Sequence, residues 1–412
     1  MINFGRVYRK ALVAFAVTVF FTNISDFTVQ YGLIPLVWIG IFTALAAPAI
    51  LHGLASNKVP VRPIVWWCAF YVALSIVSYY WSPQDEFAFQ EVQTRIISVI
   101  FLILTMIVFN QPDEQRLAQK WIAGAVLLAA ALNIYELFNP MTFSNIPGRS
   151  SGLYSNVNQS GAALVLGLIL SYQVIPDRFK LAYVGITALG VIPTFSRSAM
   201  IGWMLVVLYF FARAGIRVQI RRLVTLTVVC VGLIFSPIWS DIQHTLEQRG
   251  VITLNIVERI QFFTTGGKRE DDSSNERKAV AERAWQLYGE RPLTGWGTGA
   301  SRRIEGFDVG THNIYLAMLV DHGVFGFFVI PFLLLAALWG LNRKTIDCAA
   351  PWLMFMIMWG LFSHNVLEER YVLLAVGLMV AMITTHQTRS VPELDSSMPV
   401  MLPAPAGLAT GA

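Results

Sequence analysis

Apolar runs alternate with short polar connections along most of the chain. Twelve can be read, near 11–25, 33–51, 63–80, 95–109, 120–138, 159–176, 181–195, 198–212, 222–239, 312–341, 351–366 and 371–387. Such runs predict transmembrane helices, since a helix needs roughly 20 apolar residues to cross the hydrocarbon core of a bilayer. The run at 312–341 is longer and is expected to break around Asp321-His322-Gly323. One stretch, 240–311, is water-facing: Asp241, Glu247, Arg249, Glu258 and Arg259 precede a polar run from Thr264 to Ser274. Ser274 or Asn275 can cap a helix running to about Gly289, with Pro292 beyond its end. On that helix Arg277, Ala281, Ala284 and Tyr288 share a face.

The pattern predicts an all-α polytopic membrane protein of about 12 transmembrane helices, with one long outer loop carrying amphipathic helices. Helices one to nine fall in 1–239, the loop domain in 240–311 and helices ten to twelve in 312–388. The tail at 389–412 is rich in Pro, Ser and Gly and is expected to be disordered. The first apolar run has no small-residue cleavage site after it and reads as an uncleaved helix.

Composition narrows the class. Of 412 residues 55% are hydrophobic and only 13% charged, about half the charged share of a soluble domain. That excludes a soluble enzyme and a disordered chain alike. Cys68, Cys230 and Cys348 lie far apart in apolar runs, which suggests neither a disulfide framework nor a zinc site. The net charge of +5 is scattered and is no nucleic-acid footprint. With the N-terminus placed in the cytoplasm, 16 Lys and Arg residues fall in inner loops. Only four, Arg95, Arg149, Arg197 and Arg370, fall in short outer loops or at outer span ends; the remaining ten lie in the long 240–311 segment, to which the rule does not apply. This bias predicts cytoplasmic termini and an outward-facing 240–311.

Four polar stretches then share the outer face. They are Gly148 to Gly161, which includes Asn156 and Asn158; the turn Pro193-Thr194-Phe195-Ser196-Arg197-Ser198-Ala199; Arg277 to Gly299, ending Pro292-Leu293-Thr294-Gly295-Trp296-Gly297-Thr298-Gly299; and Thr311-His312-Asn313-Ile314-Tyr315-Leu316. Each has a plain structural reading. Asn and Gly make turns, an arginine at a span end snorkels to head groups, and the glycine run lacks the GxGxxG spacing of a dinucleotide site. Their convergence beside the one large outer loop suggests a shared cavity.

In order and spacing these stretches resemble the O-antigen ligase and polymerase superfamily, across roughly residues 140 to 330. Asp321-His322-Gly323 departs from its pattern, in which an acidic residue directly precedes the glycine. The resemblance implies a multi-pass bacterial inner-membrane glycosyltransferase with its site facing the periplasm. It would use no cofactor and no metal. Its partners would be an undecaprenyl diphosphate-linked glycan donor, a lipid A-core or growing-glycan acceptor, and membrane lipids. Carried over, Arg197 and Arg277 would grip the diphosphate and His312 would serve the acceptor hydroxyl. Asn156, Asn158, Ser196, Asn313 and Tyr315 would support the site.

The chemistry is reasonable on its own terms. A guanidinium pairs bidentately with phosphate oxygens and stays charged. A neutral imidazole can take a hydroxyl proton near pH 7, and nearby arginines help to keep it neutral. Asp308, four residues before His312, could orient the ring. Ligation to lipid A-core is the leading expectation. Repeat-unit polymerisation and protein O-glycosylation are the alternatives within the enzyme class. A secondary transporter or a glycan-lipid flippase is a more distant rival, because charges along the middle of the spans are few. Among the other histidines, His364 is the main competitor for the role of base, since Asn365 follows it as Asn313 follows His312.

Overall fold

A computed structural model describes residues 4–55, 63–154, 156–213, 272–307 and 310–388. The expected ninth span at 222–239, residues 240–271 of the outer loop, His244, Asp308 and the tail after 388 lie outside the described residues. Those described are all helix, turn and loop, with no strand among them.

The described helices are α1 (Phe4–Ala16), α2 (Ile24–Phe27), α3 (Pro35–Ala55), α4 (Pro63–Tyr79), α5 (Glu86–Val108), α6 (Pro112–Phe138), α7 (Val157–Ser171), α8 (Asp177–Val191), α9 (Arg197–Arg213), α10 (Asp272–Glu290), α11 (Ile314–His322), α12 (Val324–Phe327), α13 (Val329–Ala337), α14 (Ile346–Gly360) and α15 (Arg370–Thr388). Apart from the ninth, each expected apolar run coincides with a helix or a broken helix. By length and composition α5, α6 and α7 with the turn that follows it can each cross a membrane. The segment Gly5–Phe21 can do so together with Ile24–Tyr31, with a bend of 55° between them. These apolar helices are those of a membrane protein.

Several helices begin earlier than hydropathy suggests. α5 starts at Glu86, not near 95, because Asp85 accepts the Ala88 N–H at 2.9 Å and caps it. α6 starts at Pro112, whose missing N–H costs nothing in a first turn, and Glu114 accepts the Gln111 N–H at 3.1 Å. The loop helix α10 is already helical at Asp272, where the described residues resume, ahead of the expected start after Ser274 or Asn275.

α7 sits at the centre, packed on α6, α8, α9, α14 and α15. It is apolar all round, as a fully surrounded helix must be. Small residues let its neighbours approach: a Cβ on Gly161 would stand 2.5 Å from the Ala199 Cβ of α9. The long run at 312–341 does break where expected. Gly323, at φ +62° and ψ −149°, separates α11 from α12 in a conformation that only glycine adopts freely.

Candidate active site

The site starts from a buried carboxylate. Glu136, 2% exposed, lies near the end of α6. Its two oxygens accept four backbone N–H groups: Phe143 at 2.8 Å, Ser144, Ser151 at 2.7 Å and Gly152 at 3.1 Å. The loop before α7 is thus strung on one side chain. From it the Ser150 N–H reaches the Pro193 carbonyl at 2.9 Å, joining the first polar stretch to the second. Arg149 crosses the same gap, its Nε donating to the Thr194 carbonyl at 2.8 Å and its Nη2 to Asn158 Oδ1 at 3.2 Å. Phe195 then turns at φ +47°, and α9 begins at Arg197.

These elements enclose a cavity of about 460 Å³. Its polar lining is Asn158, Arg197, Ser198, Arg277, Lys278, Thr311, His312 and Asn313, and its apolar lining includes Ile201, Ala281, Leu361 and Phe362. Arg197 comes from α9, Arg277 from α10, and His312 from the loop entering α11. Cationic groups on an apolar flank suit a phosphorylated lipid. A larger cavity, about 620 Å³, lies at the opposite end of α9. It contains no histidine, and its Lys180 and Arg213 are paired with Asp177 and Asp347, each at 2.7 Å. The smaller cavity is the chemically equipped one.

His312 holds a left-handed backbone at φ +50°, and Asn313 behind it caps α11 by accepting the Leu316 N–H at 3.2 Å. Burial, and secondarily the Arg277 charge, push the His312 imidazole below its ordinary range. The neutral ring is therefore favoured, with burial rather than arginine as the larger cause. His364 packs edge-on against His312, ring centres 5.5 Å apart. Burial first, then Arg302 and His312, push His364 down to about 3. Arg302 is itself paired with Glu368 and lies 3.3 Å from Glu91.

His322 sits in a different setting. It is 1% exposed, and both its ring nitrogens are occupied: Nε2 faces Arg95 Nη1 at 2.5 Å and Nδ1 faces Ser78 Oγ at 2.7 Å. Arginine can only donate, so Nε2 accepts and Nδ1 carries the proton. Asp321, 0% exposed, pairs with Arg95 and also accepts the N–H groups of Ser301 at 2.8 Å and Gly299 at 3.2 Å. The glycine-rich run is docked here. Gly297 donates to the Asp321 carbonyl at 3.0 Å, Trp296 to that of Val320 at 2.8 Å, and Val324 to that of Pro292 at 2.8 Å. The glycines serve backbone against backbone, since a Cβ on Gly297 would stand 2.6 Å from Ser82.

Of the residues expected from sequence, Asn158, Arg197, Arg277, His312 and Asn313 line one cavity. Asn156 is turned to capping α7, its Oδ1 accepting the N–H groups of Asn158 and Gln159. Ser196 is buried, its hydroxyl 3.2 Å from that of Ser198. Tyr315 donates to the Ile357 carbonyl at 3.2 Å and packs its ring on Gly360, so it ties α11 to α14. Sequence reasoning overlooked Glu136 and the cross-loop role of Arg149. A lone acid late in an apolar run was the available signal for Glu136.

With this geometry in place, comparison with known proteins bears on the same stretch. Residues 182–330 match the family model described as O-antigen ligase. That segment is similar to an O-antigen ligase domain. The matched segment includes Arg197, Arg277, His312 and the glycine-rich run, and supports the O-antigen ligase and polymerase superfamily. No curated protein matches the chain. The superfamily implies lipid-linked glycan substrates and a membrane setting.

Proposed function

We propose that the chain is an O-antigen ligase-type glycosyltransferase. It moves a glycan from undecaprenyl diphosphate to a hydroxyl of lipid A-core at the periplasmic face of the inner membrane. The observation that carries this reading is a single cavity lined by Arg197, Arg277 and His312, whose ring is biased toward neutral. The acceptor oxygen forms a bond to the anomeric carbon while the bond from that carbon to the phosphate oxygen breaks. The electron pair leaves on the diphosphate, where Arg197 and Arg277 offset the developing charge. The acceptor proton passes to His312. Two guanidinium forks supply the charge that a metal would otherwise bring, so transfer is expected to continue in a chelator.

Replacing Arg197 or Arg277 by Lys keeps a charge and removes the fork, and each change is expected to cut transfer by about tenfold or more. Full activity of both lysine variants refutes the assignment. Carbohydrate analysis of a deletion strain separates the two enzyme readings. Lost attachment with carrier-linked polymer retained marks a ligase, and a single-repeat product marks a polymerase.

The same reading has about twelve spans, both termini cytoplasmic and residues 240–311 outside, on the strength of the charge bias. A Ser273→Cys variant should then react with an impermeant thiol reagent in intact cells. Reaction only after permeabilisation inverts the topology.

A further inference from the structure

We infer that Arg149 is a positioning residue for the donor: it holds the Asn158 carboxamide so that its N–H₂ group faces the phosphate oxygens in the cavity. This rests on the reading above, that the cavity takes a lipid diphosphate. Arg149 is 6% exposed, and the Glu136-bound loop and the second polar stretch fix its place. Its Nη2 meets Asn158 Oδ1 at 3.2 Å. A guanidinium has five donors and no acceptor, so the amide atom turned toward it must be oxygen. Asn158 is half-buried and lines the cavity. With its oxygen turned back on Arg149, the prong left for the cavity is nitrogen, a neutral donor beside Arg197 and Arg277. A carboxamide free to rotate would lose that freedom, and its other hydrogen bonds, on turning its N–H₂ group to an anion. The tie to a buried arginine sets that orientation in advance. It does so on a helix whose first turn is already set by the Asn156 cap.

The test separates orientation from mere tethering. Asn158→Asp keeps the shape of the side chain and turns its bond to Arg149 into an ion pair, so a structural tie is preserved or strengthened. It also replaces the N–H₂ prong by an anionic oxygen. In the full-length protein with a lipid diphosphate-linked glycan, Asn158→Asp should raise the donor KM by about tenfold or more, the scale of a lost hydrogen bond to a charged group. Its melting temperature should be unchanged or higher. Arg149→Gln should raise the donor KM in the wild-type background and add nothing in an Asn158→Ala background, because the two act through one contact. A wild-type donor KM for Asn158→Asp overturns the inference, as does an undiminished effect of Arg149→Gln in the Asn158→Ala background. Arg197→Lys in the same assay tells the two levels apart. If it raises the donor KM while Asn158→Asp does not, only the role of Arg149 falls. If neither does, the diphosphate reading falls and takes this inference with it.

Discussion

Two histidines bracket α11, and each has an arginine for company. His312 stands just before the helix, with Arg277 lining the same cavity; His322 ends it, bonded to Arg95. The side-chain types are the same, and their circumstances are opposite. At His322 both ring nitrogens are taken and the arginine is charge-balanced by Asp321 in a space without solvent. Nothing there can receive a substrate or lose a proton without breaking the packing. At His312 the ring borders open volume, and its backbone stands off the helix. Access to open volume, more than residue identity, distinguishes the two settings.

The comparison breaks most visibly at Asp321. Asp321→Ala leaves Arg95 buried without its ion-pair partner and should cost about 3–5 kcal/mol. Thermal unfolding in detergent should show a large fall, with transfer lost only as the fold is lost. A variant that melts like the parent yet fails in transfer would move the buried network into the reaction.

His312→Ala should behave in the opposite way. Transfer is expected to fall by about 10²–10⁴, the usual share of a general base, at unchanged melting temperature. If His364→Ala gives the larger loss and His312→Ala little, the base is the neighbouring ring 5.5 Å away.

The smallest expected effect is a shift in pH profile. Only the neutral imidazole can act as base, and His312 is held below its ordinary range, so the acid limb of kcat/KM should lie below about pH 6.5. Arg277→Gln removes the secondary cause and leaves burial. The limb should therefore move up in pH, part of the way toward the ordinary imidazole value. A limb that stays fixed, or moves down, separates Arg277 from His312.

Much of this was legible in the chain. The apolar runs located the helices, Asp321-His322-Gly323 marked the break, and the convergence of four polar stretches foretold one cavity. What stayed hidden has a common physical form. Glu91 and Arg95 look like the polar fringe of a span, yet they are inner residues of α5 with partners on other elements. Arg95 and Asp321 are 226 positions apart, and no local pattern announces their pairing. His364 likewise has no sequence neighbour that suggests His312. Asn156 and Tyr315 sit in the right stretches, but their side chains serve a helix cap and a helix contact. A motif tells that a segment is near the site without telling which way each side chain turns.

The packing of α10 on α11 has a mechanical consequence. Val280 and Ala284 of α10 are buried against Leu316 and Val320 of α11, and the glycine-rich run between the helices is stitched to the Gly323 break. Arg277 and His312 therefore ride on one jaw. Asn158 and Arg197 ride on the other, built from α7 and α9 in close contact at Gly161 and Ala199. The spacing of Arg277 and His312 is thus set by the α10–α11 contact, while the gap between the two arginines depends on how both pairs pack together, with Tyr315 of α11 bonded to α14. On the proposed reading, the diphosphate would lie between arginines from two helix pairs, with the base carried by only one of them.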